Sequence, residues 1–205
     1  MIIESKIVGI FPTPIYISKI NRKITNKELF FINKTKKETY KNESNITSNN
    51  NYILNKEIFK NLKKELNLIV QDYFNKVILP KNNITPYITQ SWLNYTETNQ
   101  YHHKHQHSNS LVSGVFYINC DEKFDKIKFF NDTYKSIKPE IKNWNVWNSE
   151  SWWFSIKTGD IILLPSCLAH MVETKKGDNT RISLAFNTFI KGKIGNNESL
   201  TELVL

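Results

Sequence analysis

The sequence predicts a mainly β protein, a sandwich or barrel such as a jelly roll, with two helices near its N terminus. The first observation is a series of short runs rich in β-branched and aromatic residues after Pro80, separated by turn formers such as "KTGD" and "KKGDNT". The second is an apolar stripe at helical spacing before Pro80. At 205 residues and 40% hydrophobic content, the chain is long enough to bury the core of one domain.

The segment before Pro80 contains the predicted helices. Its opening, "IVGIFPTPIYISKI", predicts two short strands separated by a turn at Pro12 and Pro14. A first helix is predicted over "TNKELFFINKTKKETY", with Thr25 or Asn26 as its N-cap, and the polar stretch "KNESNITSNNN" predicts a loop. The second and strongest helix begins near Lys56. Its apolar stripe consists of Ile58, Phe59, Leu62, Leu66, Ile69, Tyr73 and Val77.

The segment after Pro80 carries the predicted strands and no helix signals. The strands are "ITPYITQSWLNYTE", "LVSGVFYINC", "KIKFFND", "SWWFSIK", "DIILLPS", "HMVETK" and "TRISLAFNTFIKG". Many short strands of this kind are typical of sandwiches and barrels. We therefore expect strands and helices of residues 1–80 to pack on a β-domain of residues 81–205, in one structural unit.

Charge and cysteine content narrow the class of protein. The net charge is +9, but lysines scattered among acidic residues form no dense basic stripe, which argues against a nucleic-acid-binding role. No apolar run reaches the roughly 20 residues that span a bilayer, and the opening does not resemble a signal peptide. Cys120 and Cys167 are predicted to be reduced thiols of a cytoplasmic protein, with a single disulfide as the alternative.

The five histidines occur in two places. His102, His103, His105 and His107 lie in "YHHKHQH", and His170 lies alone in "PSCLAHMVE". In a strand, residues two apart face the same side, so two of the clustered histidines can converge on a metal with a third ligand from another strand. Neutral imidazole suits iron, zinc, copper and nickel. The spacing alone leaves a solvated histidine-rich loop as an equal alternative.

An arginine in a strand after the last histidine suggests an anion site. Arg181 and Ser183 alternate in "TRISLAF", so both side chains face the same way. A hairpin after His170 would bring the guanidinium into the same cavity, where a carboxylate fits its planar fork. The alternative is a structural salt bridge with an acid such as Glu173 or Asp178.

Three segments in a fixed order resemble a known family. "HQHSNSLVSGVFYIN", "GDIILLPSCLAHMV" and "RISLAFN" are similar to motifs of the Fe(II)- and 2-oxoglutarate-dependent oxygenases. The nearest branch is the small 2-oxoglutarate/iron oxygenases of phage and bacteria, allied to the prolyl-hydroxylase-like group. The resemblance covers about Trp92 to Gly192, with the opening "IFPTPIY" as an outlying match. It implies a double-stranded β-helix, the jelly roll that cupins also have.

The resemblance also implies a site and an activity. His105, His107 and His170 match the iron ligands, while Arg181 and Ser183 match the pair that binds the distal carboxylate of 2-oxoglutarate. The implied protein is a dioxygenase that uses Fe(II), 2-oxoglutarate and O2. It would hydroxylate a substrate that the sequence does not identify, releasing succinate and CO2.

Two tyrosines and four apolar residues complete the predicted cavity. Tyr117 in "FYIN" and Tyr95 match tyrosines at the co-substrate pocket of the family, with ordinary core packing as the alternative for both. The walls of a dry site are predicted to come from Phe116, Ile162, Leu164 and Phe186, with core packing as the alternative for these residues too.

One departure from the family pattern concerns the metal. His107 stands where most of the superfamily has a carboxylate, and three neutral imidazoles leave a bound metal more positive, so the choice of iron over another metal stays open. Asp132 in "FFND" is a possible nearby carboxylate. The alternative function is a cupin-like metal- or ligand-binding module without turnover. The sequence specifies neither the oligomeric state nor the roles of His102, His103 and the 131–150 loop.

Overall fold

The computed structural model describes residues 4–20, 22–131 and 139–205. The helices in these ranges are α1 (Asn26–Thr35) and α2 (Lys60–Tyr73), and a π-helical segment, Phe74–Ile78, follows α2. The strands are β1 (Tyr16–Lys19), β2 (Thr39–Asn42), β3 (Asn45–Ser48), β4 (Ile84–Thr96), β5 (His102–His105), β6 (Val112–Asn119), β7 (Lys126–Phe130), β8 (Ser151–Ser155), β9 (Asp160–Pro165), β10 (His170–Val172), β11 (Arg181–Ile194) and β12 (Leu203–Val204).

The strands form two antiparallel sheets. The larger sheet has the order β1-β9-β6-β11-β4-β3-β2, with β12 paired to β11, and the smaller sheet has the order β5-β10-β7-β8. The predicted mainly β architecture with N-terminal helices is therefore confirmed. Strands β1, β2 and β3 pair within the same sheet as the strands after Pro80, and the boundary between 1–80 and 81–205 stays a prediction.

Two apolar cores lie on opposite faces of the larger sheet. One packs the sheet against the helices, and α2 contributes Leu62, Leu66, Val70 and Tyr73 to it at helical spacing. The other joins this sheet to the smaller one through side chains of β6, β7, β8 and β9. Close packing in the first core requires Gly114, because an added Cβ would lie 2.1 Å from Phe186 Cζ.

The predicted helix signals are confirmed with two shifts of boundary, the first being that α1 ends at Thr35 and the end of its predicted segment, Thr39 and Tyr40, belongs to β2. Thr25 is the N-cap of α1, and a capping box links it to Glu28: the Glu28 N–H donates to Thr25 Oγ1 at 3.2 Å and the Thr25 N–H donates to Glu28 Oε2 at 2.8 Å. The second helix begins at Lys60 rather than Lys56, because Glu57–Phe59 forms a 3₁₀ turn.

Two predictions for the N-terminal segment are wrong. The polar stretch predicted to be a loop contains most of the β2–β3 hairpin, which turns at Glu43 (φ 48°) and pairs with β4. Three of its polar residues, Asn45, Thr47 and Ser48, are buried rather than exposed: Thr47 donates to Asn94 and Ser48 accepts from the Leu93 N–H. The opening forms one strand rather than two, because among residues 4–20 only Tyr16–Lys19 pairs, with β9.

Three further expectations concern single residues and the membrane. Cys120 and Cys167 are both free thiols, as predicted. Asp132 lies outside the described residues. Within the described ranges, neither helix is long and apolar enough to cross a bilayer.

Candidate metal centre and anion site

Two strands and one turn bring three histidines together. His105 at the end of β5 is paired across the smaller sheet with His170 at the start of β10. His107 follows β5, and its backbone N–H donates to the Ser166 carbonyl at 2.9 Å. Their ligand-type nitrogens all lie within 4.8 Å of one another, and the Nε2 atoms of His107 and His170 are 3.3 Å apart. These three side chains, the histidine triad, could hold one metal ion.

Backbone carbonyls orient two members of the triad. Nδ1 of His105 lies 2.8 Å from the His103 carbonyl, and Nδ1 of His170 lies 2.9 Å from the Leu168 carbonyl. A carbonyl only accepts, so each Nδ1 carries the proton and each Nε2 keeps its lone pair. This arrangement is typical of metal-binding histidines. The donor set of the triad therefore fits a divalent metal.

A buried polar network supports the third member, His107. Its ring stacks on Trp92, with centroids 5.7 Å apart, and the Asn187 side chain lies near it and opposes the lowering of its pKa. Asn187 Oδ1 in turn accepts from Ser113 Oγ at 3.0 Å, and Ser113 lies 2.8 Å from Ser166 Oγ. The network fixes the position of the His107 ring through contacts that lie outside the triad.

Replacing Asn187 by Ala tests this support. Loss of an outer partner of a metal-binding histidine typically weakens metal binding about 10- to 100-fold, and we expect the lower part of this range because Trp92 still stacks on the ring. Affinity for Ni²⁺, measured by competition with a chelating dye, gives the result. Asn119→Ala is the control, since Asn119 is exposed and its side chain donates to the Thr180 carbonyl, away from the triad. An unchanged affinity in Asn187→Ala would show that Asn187 does not orient His107.

Burial keeps the triad neutral. Burial, together with the neighbouring histidines, lowers the pKa of His107 to about 3 and that of His170 to about 4. Burial also lowers the pKa of His105, although the hydrogen bond to the His103 carbonyl opposes the shift. All three imidazoles are therefore unprotonated near pH 7, which is the state that binds metals.

The strand argument alone did not distinguish among the clustered histidines. His107 reaches the triad from the turn after β5 rather than from the strand itself. His102 and His103 form a second close group with His105. His102 Nε2 lies 3.2 Å from Asn42 Nδ2, and His103 Nδ1 lies 3.7 Å from Glu43, so both contact the β2–β3 hairpin.

Arg181 is buried and incompletely paired. Its Nη2 donates to Thr96 Oγ1 at 3.1 Å, while its Nη1 has no hydrogen-bond partner among the described residues. The carboxylate of Asp125 lies 4.0 Å from Nη1 and is shared with the buried Lys175 at 3.8 Å. Two cations facing one carboxylate leave a positive excess, which suits an anion.

The predicted salt-bridge partner Glu173 is engaged elsewhere. It accepts from Lys128 at 2.8 Å, and Asp178 is exposed. The buried acid nearest to Arg181, Asp125, was not anticipated from the sequence, because "CDEKFD" carries no pattern that marks one acid as buried.

The two predicted pocket tyrosines lie on opposite faces of the larger sheet. Tyr117 is paired with Ser183, which shares a face with Arg181, and burial raises its pKa while the Arg181 charge opposes the shift. The Tyr95 hydroxyl instead donates to the Ile32 carbonyl of α1 at 2.6 Å. The structure therefore brings Tyr117 to the Arg181 side and leaves Tyr95 in the helical core.

The predicted apolar walls divide in the same way. Ile162 and Leu164 belong to the core between the sheets, on the side of Tyr117. Phe116 and Phe186 belong to the core against the helices. Sequence reasoning missed Thr96, Trp92 and Asn187 as neighbours of the site, although Asn187 ends the "RISLAFN" segment.

Comparison with known proteins shows that part of the chain is similar to one protein family. Residues 90–187 match the model of the family described as "Putative 2OG-Fe(II) oxygenase". This segment carries the whole histidine triad and the anion site around Arg181. No curated protein sequence matches the chain.

Several solved structures have a similar fold. HygX from Streptomyces hygroscopicus, with nickel, 2-oxoglutarate and hygromycin B bound, is 12% identical with a TM-score of 0.56, over 86% of this chain and 82% of its own. A 2OG-Fe(II) oxygenase family oxidoreductase from Burkholderia pseudomallei is 12% identical with a TM-score of 0.51, over 84% and 83%. A Pseudomonas putida prolyl-4-hydroxylase is 11% identical with a TM-score of 0.51, over 78% and 83%.

These likenesses establish the fold as the double-stranded β-helix that the motifs implied. At such identities they carry no information about substrate. The family match covers the strands that hold the triad and Arg181, and it agrees with the resemblance seen in the sequence. Residues 90–187, just under half of the chain, are therefore similar to the 2OG-Fe(II) oxygenase family.

Proposed function

We propose that the protein is an Fe(II)- and 2-oxoglutarate-dependent dioxygenase that hydroxylates a still unidentified substrate and releases succinate and CO2. The observation that carries the proposal is a neutral histidine triad beside a buried, incompletely paired arginine. His107 stacks on Trp92 and Arg181 bonds to Thr96, and these two β4 residues face the same side of the strand, about 13 Å apart. A metal at the triad, near Trp92, and the guanidinium of Arg181, near Thr96, can therefore hold the two ends of one small dianion.

Each group has a distinct role in this proposal. The triad would hold the metal, and iron bound there would supply oxygen-activating redox chemistry. Arg181 and Ser183 would hold the distal carboxylate of 2-oxoglutarate, and Tyr117 borders the same space. Burial of these side chains excludes water and strengthens the attraction between the guanidinium and the carboxylate.

The donor set favours an anionic co-substrate. In the described part of the chain, the groups that could hold a metal contain histidines alone, so a divalent ion at the triad keeps its full double charge. That charge complements the dianion 2-oxoglutarate. HygX, which shares the fold, has been seen with nickel and 2-oxoglutarate bound, which supports the same pairing here.

An anaerobic titration tests the proposal. Fe(II) is added to the protein with and without 2-oxoglutarate, and the weak visible charge-transfer band is recorded. We expect the band only when both are present, together with a rise in melting temperature that depends on 2-oxoglutarate. Metal binding without any effect of 2-oxoglutarate would overturn the proposal and favour a cupin-like binding module without turnover. Absence of metal binding would overturn both.

A further inference from the structure

Asn45 on β3 is a buried amide without a partner. Its side chain is fully buried (0% exposed), and neither Nδ2 nor Oδ1 has a hydrogen-bond partner among the described residues. Buried polar side chains are nearly always hydrogen-bonded, so an unpaired amide at this depth requires an explanation. A ligand that pairs with it on binding is one such explanation.

The sheet register places Asn45 beside Arg181. Thr47 pairs with Asn94 and Ile46 pairs with Tyr95, so the next position on β3, Asn45, lies opposite Thr96. Thr96 is paired on its other side with Arg181. Asn45, Thr96 and Arg181 therefore form one row across three neighbouring strands, with the outer two about 10 Å apart at their Cα atoms.

The side chains of this row face the same interior. The Thr47 hydroxyl donates to Asn94 Oδ1 at 2.9 Å, which places alternate residues of β3 on the Asn94 and Thr96 face of β4. Ile46, which points the other way, packs against the helical core. Asn45 thus shares its face with Thr96, whose hydroxyl accepts from Arg181.

Both ends of the row carry unpaired donors. Nη1 of Arg181 and Nδ2 of Asn45 each have N–H groups without a hydrogen-bond partner in the described ranges. Between them, Thr96 Oγ1 accepts from Arg181 and keeps its own O–H as a third donor on the same face. A carboxylate has two oxygens with about four acceptor sites, and it can accept from an arginine and an amide at once.

We propose that Asn45 anchors the co-substrate, with its Nδ2 donating to the same distal carboxylate that Arg181 binds. This inference rests on the proposed function and extends it, because it makes the β2–β3 hairpin part of the 2-oxoglutarate site. It also gives Asn45 a specificity role. A 2-oxo acid with a distal carboxylate gains the Asn45 hydrogen bond, whereas one without that carboxylate does not.

Calorimetry on the Ni²⁺-loaded Asn45→Leu variant tests this role. Leu has a branched shape like that of Asn and no donor. We expect the Kd of 2-oxoglutarate to rise about 10-fold, since hydrogen bonds to charged groups are the strong ones, with Ni²⁺ affinity unchanged. The Kd of 2-oxobutanoate, which lacks the distal carboxylate, should stay the same. The melting temperature of the metal-free protein should be unchanged or higher, because no hydrogen bond is lost there.

The control is Asn49→Leu, at an exposed position just after β3, which should leave both affinities unchanged. An unchanged Kd of 2-oxoglutarate in Asn45→Leu, or an equal rise for both 2-oxo acids, would refute the Asn45 role and leave the proposed function standing. If Asn45→Leu does not fold, Asn45→Ser replaces it, because its hydroxyl is too short to reach the carboxylate. Wild-type protein that binds Ni²⁺ but not 2-oxoglutarate would refute the proposed function itself.

Discussion

Replacing Arg181 by Met is expected to raise the Kd of 2-oxoglutarate by about 100-fold while metal affinity stays the same. Arg181 can bind a carboxylate through charge-assisted hydrogen bonds, each contributing about 1.5 to 3 kcal/mol, and about 1.4 kcal/mol corresponds to a tenfold change in Kd. Met preserves much of the packing of the side chain and removes all of its donors. Calorimetric titration of 2-oxoglutarate into the Ni²⁺-loaded protein measures the effect.

The fold should tolerate this change. In the described structure Arg181 makes one side-chain hydrogen bond, to Thr96, and leaves Nη1 unpaired. Asp125 keeps Lys175 at 3.8 Å and the Asp121 N–H at 2.8 Å after the guanidinium is removed. We therefore expect a small change in the free energy of unfolding and a large change in co-substrate affinity.

The other arginine of the chain provides the control. Arg22 donates to both carboxylate oxygens of Glu28 at 2.8 and 2.9 Å and lies beside Glu65, at the helices rather than between the sheets. Arg22→Met should lower the free energy of unfolding and leave 2-oxoglutarate affinity unchanged. Wild-type affinity in Arg181→Met would show that the co-substrate carboxylate binds elsewhere.

The β-domain could be predicted because its sequence is locally consistent. Turn formers separate its strands, and the histidine, glycine and arginine motifs occur in the order that the family requires. The β2–β3 hairpin could not be predicted, because strand prediction depends on apolar alternation. Thr47 and Ser48 are buried by polar contacts across the sheet, and Asn45 is buried on the face of the site, so the hairpin has the composition of a loop.

For the candidate site, the sequence predicted which residues could bind the metal and the anion. It did not predict which residues of β4 point to the site and which point to the helices. Strand β4 is covered on both sides, by the helices and by the smaller sheet, so its sequence shows no clean alternation. Trp92 and Thr96 face the site, whereas Tyr95 between them faces α1. Only the register with β11 distinguishes the two faces, and this depends on residues far away in the chain.

Replacing His170 by Ala is expected to lower Ni²⁺ or Fe²⁺ affinity by more than about 100-fold. Loss of an outer partner of a metal-binding histidine already costs about 10- to 100-fold, and loss of a ligand should cost more. His170 is 4% exposed and is paired with His105 across the sheet, and its Nε2 lies 3.3 Å from His107 Nε2. The two remaining histidines of the triad cannot supply the nitrogen that is lost. Dye competition gives the affinity. The rise in melting temperature on adding metal should disappear with it.

His103→Ala discriminates between the two histidine groups of the protein. His103 and His102 form the second group with His105, which both groups share, so a variant of His105 would not separate them. Because Nδ1 of His105 is bonded to the His103 carbonyl, His105 offers one free nitrogen and can serve only one metal at a time. That carbonyl survives the change to Ala, so His103→Ala should bind metal like the wild type. Loss of metal in His103→Ala with retention in His170→Ala would place the ion at the second group, away from His107.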